Sequence, residues 1–116
     1  MTKEEITARI CHIAWCAYQI GVGQDYNEEP TAAQLASHLD AVRAFTPELT
    51  ADKNHENWMT YKLANGWRFG PVKDELAKTH PDLLPFDQLP LVEQRKDDMD
   101  LMCRRNALKL LESLGI

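Results

Sequence analysis

Residues 54–74, NHENWMTYKLANGWRFGPVKD, concentrate aromatic and basic side chains in an otherwise acidic chain. Residues 53–80 hold five Lys or Arg and three Asp or Glu, whereas the whole protein has a net charge of −5. Four residue types of an earlier segment recur in this stretch in one register, which favours one structural module used twice. The recurring residues are His12, Trp15, Tyr18 and Gly23, and their counterparts 43 positions later are His55, Trp58, Tyr61 and Gly66.

The composition is that of an ordinary globular protein, with 116 residues, of which 44% are hydrophobic and 27% charged. We therefore expect a single domain over residues 1–116. No apolar run approaches the ~20 residues of a membrane-spanning helix, and the N-terminal residues show no secretory signal. Three scattered cysteines match no metal-ligand spacing and are typical of reduced thiols in a cytoplasmic protein.

Capping signals locate the first two of four predicted principal helices. Thr2 with Glu5 and Thr31 with Gln34 both fit capping boxes, in which the two side chains satisfy unpaired N–H groups at a helix start. The glycines in residues 21–23 are typical of a helix end. The first helix should thus end near residue 22, and the second should begin at residue 31.

The third predicted helix begins at Thr50 or Asp52 and stops at Gly66, and the fourth runs from Leu91 to Leu114. Between them, residues 67–72 alternate in character as in a short strand or two-stranded ribbon. We also expect a brief helix over residues 75–78, capped by Asp74, and an extended connection through three X-Pro pairs.

Helical periodicity gives the first helix two apolar faces, both of which should be covered by other elements. One face consists of Ile6, Ile10, Ile13, Ala17 and Ile20, and the other of Cys11, Trp15, Tyr18 and Val22. The final helix should bury one stripe. That stripe consists of Val92, Met99, Met102, Cys103, Ala107, Leu110, Leu111 and Leu114.

Motifs that carry enzyme chemistry are missing from this sequence. It has no Gly-rich phosphate loop, no paired carboxylates and no metal-ligand spacing. His55 and Glu56 are adjacent, and adjacent side chains on a helix point about 100° apart, which makes a poor acid–base pair. We therefore predict no catalytic residues, no metal and no cofactor.

An aromatic side chain beside a cation can stack a planar base while the cation holds a phosphate. Trp67 follows a helix-stopping glycine and precedes Arg68, so it is the strongest candidate for a ligand contact. Trp15 and Trp58 are better explained as core residues of two related helices, although the sequence leaves open whether these aromatic flanks are core or pocket. The candidate ligand-binding residues are Trp67, Arg68, Lys73, Lys62, Tyr18, Trp58, Tyr61, His55 and Trp15.

Residues 55–90, HENWMTYKLANGWRFGPVKDELAKTHPDLLPFDQLP, carry a longer pattern. A His-Glu-x-Trp helix is followed by Lys, a Gly-Trp pair, an aromatic-Gly-Pro-Val turn, Asp, Lys, His-Pro and Leu-Pro. This pattern resembles the ryanodine-receptor-type (RyR) repeat domain, and residues 11–24 resemble the start of small stand-alone RyR-domain proteins of bacteria and phages. The matching residues are His55, Glu56, Trp58, Lys62, Gly66, Trp67, Phe69, Gly70, Pro71, Val72, Asp74, Lys78, His80, Pro81, Leu89 and Pro90.

The resemblance implies a mainly α fold with four principal helices, in which two helical pairs are related by an approximate twofold axis beside a short β ribbon. In calcium-release channels, tandem repeats of this type hold an adenine nucleotide. In prokaryotes the domain is proposed to sense or sequester nucleotide-derived signals in defence against phage. Tyr61 and Arg68 lie outside the recurring pattern, so their candidate roles depend on residue chemistry alone.

The sequence thus predicts a non-enzymatic module that binds a small nucleotide-like anion, with neither nucleic acid nor membrane as a partner. The negative net charge argues against nucleic acid, because such binding depends on neutralising phosphates. The pocket should lie between the two aromatic helices. The alternative is a protein-interaction or self-associating module, a homo-oligomer for instance, with no small ligand.

Overall fold

Four α-helices form the protein, and one short pair of parallel strands follows the third helix. The computed structural model describes residues 1–116. The predicted mainly α fold with a short extended segment is confirmed, and none of the helices combines the length and apolar content that crossing a bilayer requires. The elements in chain order are α1 (Lys3–Val22), α2 (Ala32–Arg43), α3 (Ala51–Ala64), β1 (Arg68–Phe69), β2 (Thr79–His80) and α4 (Leu91–Ser113).

α1 and α3 each pack against both α2 and α4. The predicted helix starts are confirmed. The Thr2 hydroxyl accepts the N–H of Glu5 at 3.1 Å. Thr31 and Gln34 form a complete capping box, with side-chain-to-backbone distances of 3.1 and 3.0 Å. In each helix, at least one of the N–H groups that lack a partner within the helix is therefore satisfied by a neighbouring side chain.

The sequence echo between the two halves corresponds to a repeated local geometry. His12 lies beside Trp15 with ring centroids 5.4 Å apart and planes inclined by 32°. His55 lies beside Trp58 at the same 5.4 Å with an inclination of 29°. A glycine in the left-handed conformation follows each helix, with φ of 73° and 86°. α1 and α3 are thus two copies of one helix-and-turn unit.

The predicted apolar faces are only partly correct. On α1, the C-terminal part of the Ile face is open to solvent, since Ile13 is 68% and Ile20 59% exposed, whereas Ile6 and Ile10 are half-buried. On α4, Ala107 and Leu111 are buried as predicted, but the other aliphatic and Met positions of the stripe are exposed. The helix instead buries Leu101 and a polar residue on the same side, which a pattern of hydrophobicity cannot detect.

Asp74 organises the turn between the strands. Asp74 and Thr79 exchange two backbone hydrogen bonds at 3.0 and 3.1 Å, and the Asp74 carboxylate accepts two further N–H groups at 2.9 and 3.1 Å. The predicted helix over residues 75–78 is nevertheless wrong. Lys78 has a left-handed φ of 56°, and the chain turns directly into β2 instead of continuing a helix.

Arg104 of α4 is 1% exposed and forms the polar centre of the contact between α3 and α4. Its guanidinium donates to Asn54 Oδ1 at 2.9 Å and to the Asp100 carboxylate one turn earlier. Asn54 Nδ2 donates to the same carboxylate at 3.2 Å. Because an unpaired buried charge is far costlier than a paired one, this closed ring of hydrogen bonds fixes the register of α3 on α4.

Arg104→Ala should lower the free energy of unfolding by about 3 kcal/mol or more, because the buried Asn54 and the half-buried Asp100 lose their donor. Arg95→Ala removes an exposed arginine from the same helix and should change it by less than about 0.5 kcal/mol. Urea unfolding of both variants measures the difference. A loss below about 1 kcal/mol for Arg104→Ala would show that the ring contributes no more than a surface pair.

Gly70 permits the strands to approach. A Cβ added to Gly70 would lie 2.6 Å from Cβ of Thr79, which is closer than such atoms can come. Gly70→Ala should therefore destabilise the protein by about 1–3 kcal/mol through overpacking. Gly21→Ala is the matched control, because Gly21 lies in α1 with open space around it and should gain up to about 1 kcal/mol. Equal thermal stability of the two variants would contradict this explanation.

Candidate functional site

A cavity of about 580 Å³ lies among the four helices and is bordered by the turn between β1 and β2. This volume is within the range of small-molecule sites, roughly 300–1,000 Å³. Arg68 does not line the cavity and is exposed on β1. The structure brings together the other eight candidate residues, which are Trp15, Tyr18, His55, Trp58, Tyr61, Lys62, Trp67 and Lys73.

Trp15 and Trp58 are half-buried and present ring surface to this cavity. Each is backed by the histidine one turn earlier on its own helix, as described above. His80 also meets the Trp58 ring edge-on, with centroids 5.0 Å apart. These contacts hold both indoles in place before any ligand arrives, so their orientation costs little on binding.

Trp67 is 9% exposed, which makes it more buried than the other two tryptophans. Its backbone N–H donates to Lys62 O at 3.0 Å, and the Lys62 ammonium lies 4.6 Å from its ring centroid. We expected Trp67 to be the accessible indole and Trp15 and Trp58 to be core residues, and the observed order of exposure is the reverse. The left-handed Gly66 returns the chain toward α3 and places Trp67 against Lys62.

Two lysines make part of the cavity electropositive. Lys73 Nζ lies 5.4 Å from the Trp15 ring centroid and 3.9 Å from its nearest carboxylate, Glu75. Lys62 has no carboxylate within ion-pair distance. Burial, followed by the charge of Lys73, lowers the pKa of Lys62. The two ammonium groups therefore repel each other, and between them they have one ion-pair partner, Glu75 beside Lys73.

Carboxylates of α4 also line the cavity, and the sequence interpretation missed them. Glu93 pairs with Lys96 at 2.9 Å, and Asp100 pairs with Arg104. The detectable signal was the spacing of residues 93, 97, 100 and 104, which places four charged side chains on one helical face. Because α4 packs against both α1 and α3, a stripe of charged residues along it indicates that part of its buried surface is polar.

His55 of α3 lies between Asp97 of α4 and the Trp58 ring of its own helix. Its Nε2–H donates to Leu84 O at 2.7 Å, while Nδ1 lies 3.0 Å from Asp97 Oδ2 without the alignment of a hydrogen bond. Burial acts to lower the pKa of His55, but the Asp97 carboxylate outweighs it and the pKa is raised. A neutral His55 would direct its lone pair at Asp97, so protonation relieves that repulsion.

Burial shifts the pKa values of two other groups on the cavity wall in the direction that favours their uncharged forms. Burial, with the charges of Lys73 and Lys62, lowers the pKa of His80 to about 3. Burial, followed by the charge of Glu93, raises the pKa of Asp82 to about 6. No group of three or more His, Cys, Asp or Glu side chains is arranged to hold a metal ion. The arrangement is suited to binding by stacking and charge.

His80→Gln should make stability less sensitive to acid. Folded His80 stays neutral down to pH about 3, whereas the unfolded side chain takes up a proton near pH 6.5. Its contribution is thus fully present above pH 6.5 and is lost as pH falls, by up to about 1.4 kcal/mol per unit. Between pH 7 and 5, urea unfolding should show wild type losing up to about 2 kcal/mol more than the variant.

The control for this measurement is the interval from pH 7.5 to 8.5, where His80 is neutral in both states. The stability difference between wild type and His80→Gln should stay constant there. Parallel curves from pH 7 to pH 5 would contradict a neutral buried His80.

The comparison with known families agrees with the geometry. The family model described as RyR domain matches residues 31–116. The chain therefore belongs to the RyR-domain family, as the sequence resemblance indicated. The matched range contains α2, α3, the strands and α4, and α1 precedes it while repeating the His–Trp–Tyr pattern of α3.

Proposed function

We propose that this RyR-domain protein is a non-enzymatic binding module for a small, nucleotide-derived anion, which occupies the cavity among the four helices. One observation carries the proposal. A single cavity contains two half-buried indoles together with two lysines whose one ion-pair partner is Glu75, 3.9 Å from Lys73. Stacking surface and incompletely neutralised positive charge are the two features that a nucleotide requires.

The aromatic residues supply the base contact. Base–aromatic stacking contributes roughly 1–3 kcal/mol per base, and it accepts any base because each has a π face. Trp15 and Trp58 offer that surface at fixed positions, and Tyr18 and Tyr61 lie one turn further along the same helices. The buried Trp67 then acts as the support beneath Lys62.

The lysines supply the phosphate contact. Burial and, after it, repulsion from Lys73 lower the pKa of Lys62. An anion between them would relieve this repulsion and form charge-assisted hydrogen bonds, which contribute about 1.5–3 kcal/mol each. The acidic lining of α4 restricts this preference to a small anion and disfavours a nucleic-acid strand.

The proposed cellular role follows from the family. A cytoplasmic RyR-domain module of this kind, encoded by a bacterium or a phage, would sense or sequester a signalling nucleotide in conflict between the two. The alternative function is self-association without a small ligand. The exposed Ile face of α1, with Ile13 and Ile20 open to solvent, favours that alternative.

Thermal-shift measurements with ADP-ribose, AMP, ADP and cyclic mononucleotides test the proposal. A ligand at 100 times its Kd adds ~2.7 kcal/mol, which should raise the Tm by roughly 10 °C for a chain of this length. Lys62→Ala and Lys73→Ala should each weaken binding by about 10-fold or more, since each removes a charge-assisted contact. Lys109→Ala removes an exposed charge remote from the cavity and should leave the shift unchanged.

Arg68→Ala belongs in the same series, because Arg68 is the one ligand-binding residue predicted from sequence that does not line the cavity. The side chain lies outside the cavity lining, so this variant should behave like Lys109→Ala. A folded wild-type protein that shows no shift with any nucleotide would overturn the proposal. If that protein also sediments as a stable oligomer, self-association becomes the better function.

A further inference from the structure

Two equivalent aromatic shelves line the one cavity. We use this name for Trp15 backed by His12 and for Trp58 backed by His55. Their geometries agree closely, with centroid distances of 5.4 Å in both and interplanar angles of 32° and 29°. Both indoles are half-buried and both border the same space. A pocket for one planar ring needs one such shelf, and the internal repeat has supplied two.

Each shelf has an ammonium group beside it. Lys73 Nζ lies 5.4 Å from the Trp15 ring centroid. Lys62 follows Trp58 by four residues on α3, and side chains at this spacing are neighbours on a helix surface. The charge of Lys73 contributes to the lowered pKa of Lys62, so the two ammonium groups interact. The two shelves therefore adjoin one shared cationic region.

The rest of the lining limits where negative charge can be placed. Asp82, Glu93 and Asp97 border the same cavity, and the Asp82 carboxyl forms no ion pair. A long polyphosphate extending from one base would bring further charge toward these acidic groups. A ligand with its charge in the middle and an uncharged ring at each end avoids that repulsion.

We propose, building on the nucleotide-binding function above, that the ligand is a dinucleotide in which two nucleosides are joined through phosphate. One base stacks on Trp15 and the other on Trp58, and the bridging phosphates lie at Lys62 and Lys73. The approximate symmetry of such a molecule about its phosphates matches the repeat that relates the shelves. The second base binds as a tethered group, so its stacking adds directly to affinity.

Matched pairs of probes test this inference by titration calorimetry. ADP is compared with diadenosine diphosphate, and GDP with diguanosine diphosphate, so that each pair shares base type and phosphate number. The dinucleotide of at least one pair should bind roughly 5- to 150-fold more tightly than its mononucleotide, which is the effect of stacking one more base. This gain is expected although the dinucleotide carries less negative charge.

Variants then identify which shelf each base uses. Trp15→Leu and Trp58→Leu should each reduce dinucleotide affinity to near that of the mononucleotide, and neither should abolish mononucleotide binding, because one shelf remains. Phe69→Leu is the control, since Phe69 is exposed and outside the cavity lining. Circular dichroism confirms that each variant is folded, and the wild-type comparison does not depend on any variant.

The outcomes separate this inference from the function on which it rests. If mononucleotides bind and dinucleotides bind no more tightly, the dinucleotide inference is wrong and the nucleotide-binding function stands. An alternative in which a single base lies between both indoles would give that result. In that case, Trp15→Leu and Trp58→Leu should each weaken ADP binding strongly. If neither probe type binds, the proposed function fails and the inference fails with it.

Discussion

The buried guanidinium of Arg104 is the constraint on which the rest of the structure depends. Asn54 and Asp100 accept hydrogen bonds from its two terminal nitrogens, and together the three side chains set how α3 lies on α4. A chain of 116 residues has little apolar surface to spare, and apolar side chains lining a 580 Å³ space would tend to collapse into it. A planar charged group with fixed donor directions holds two helices at a set separation. The polar network and the cavity are thus two aspects of one arrangement.

The pairing of charged groups also explains the charge distribution around the cavity. Most carboxylates of α4 lie beside Lys96, His55 or Arg104, so their charge is partly offset within the wall. Lys62 and Lys73 have no equally close partners, and they remain the groups available to a ligand. The acidic protein thus presents a small electropositive region within the cavity.

Much of this fold could be predicted from sequence, and the reasons for the exceptions are physical. Helix starts at Thr2 and Thr31 are local, because their hydrogen bonds join residues three apart. The buried side of α4 is not local, since Arg104 becomes a favourable core residue only when Asn54, from a helix 50 positions earlier, reaches it. Five of the eight candidate residues in the cavity belong to a repeat of residue types that survives in sequence, namely Trp15, Tyr18, His55, Trp58 and Tyr61. Lys62, Trp67 and Lys73 were predicted from the clustering of aromatic and basic residues. Trp67 is more buried than Trp15 and Trp58 because the left-handed Gly66 turns the chain back toward α3. A pattern of residue types does not reveal the direction in which the chain turns.

The turn that carries Lys73 is held in place less firmly than the helices are. Residues 71–78 are exposed and are held mainly by the reciprocal bonds of Asp74 with Thr79 and by the two-residue strand pair. Few buried contacts oppose its local opening, so this opening requires much less free energy than unfolding the helices. Loops of this kind move in nanoseconds to microseconds. The border that this turn gives the cavity can therefore open while the helices and the Arg104 network stay in place.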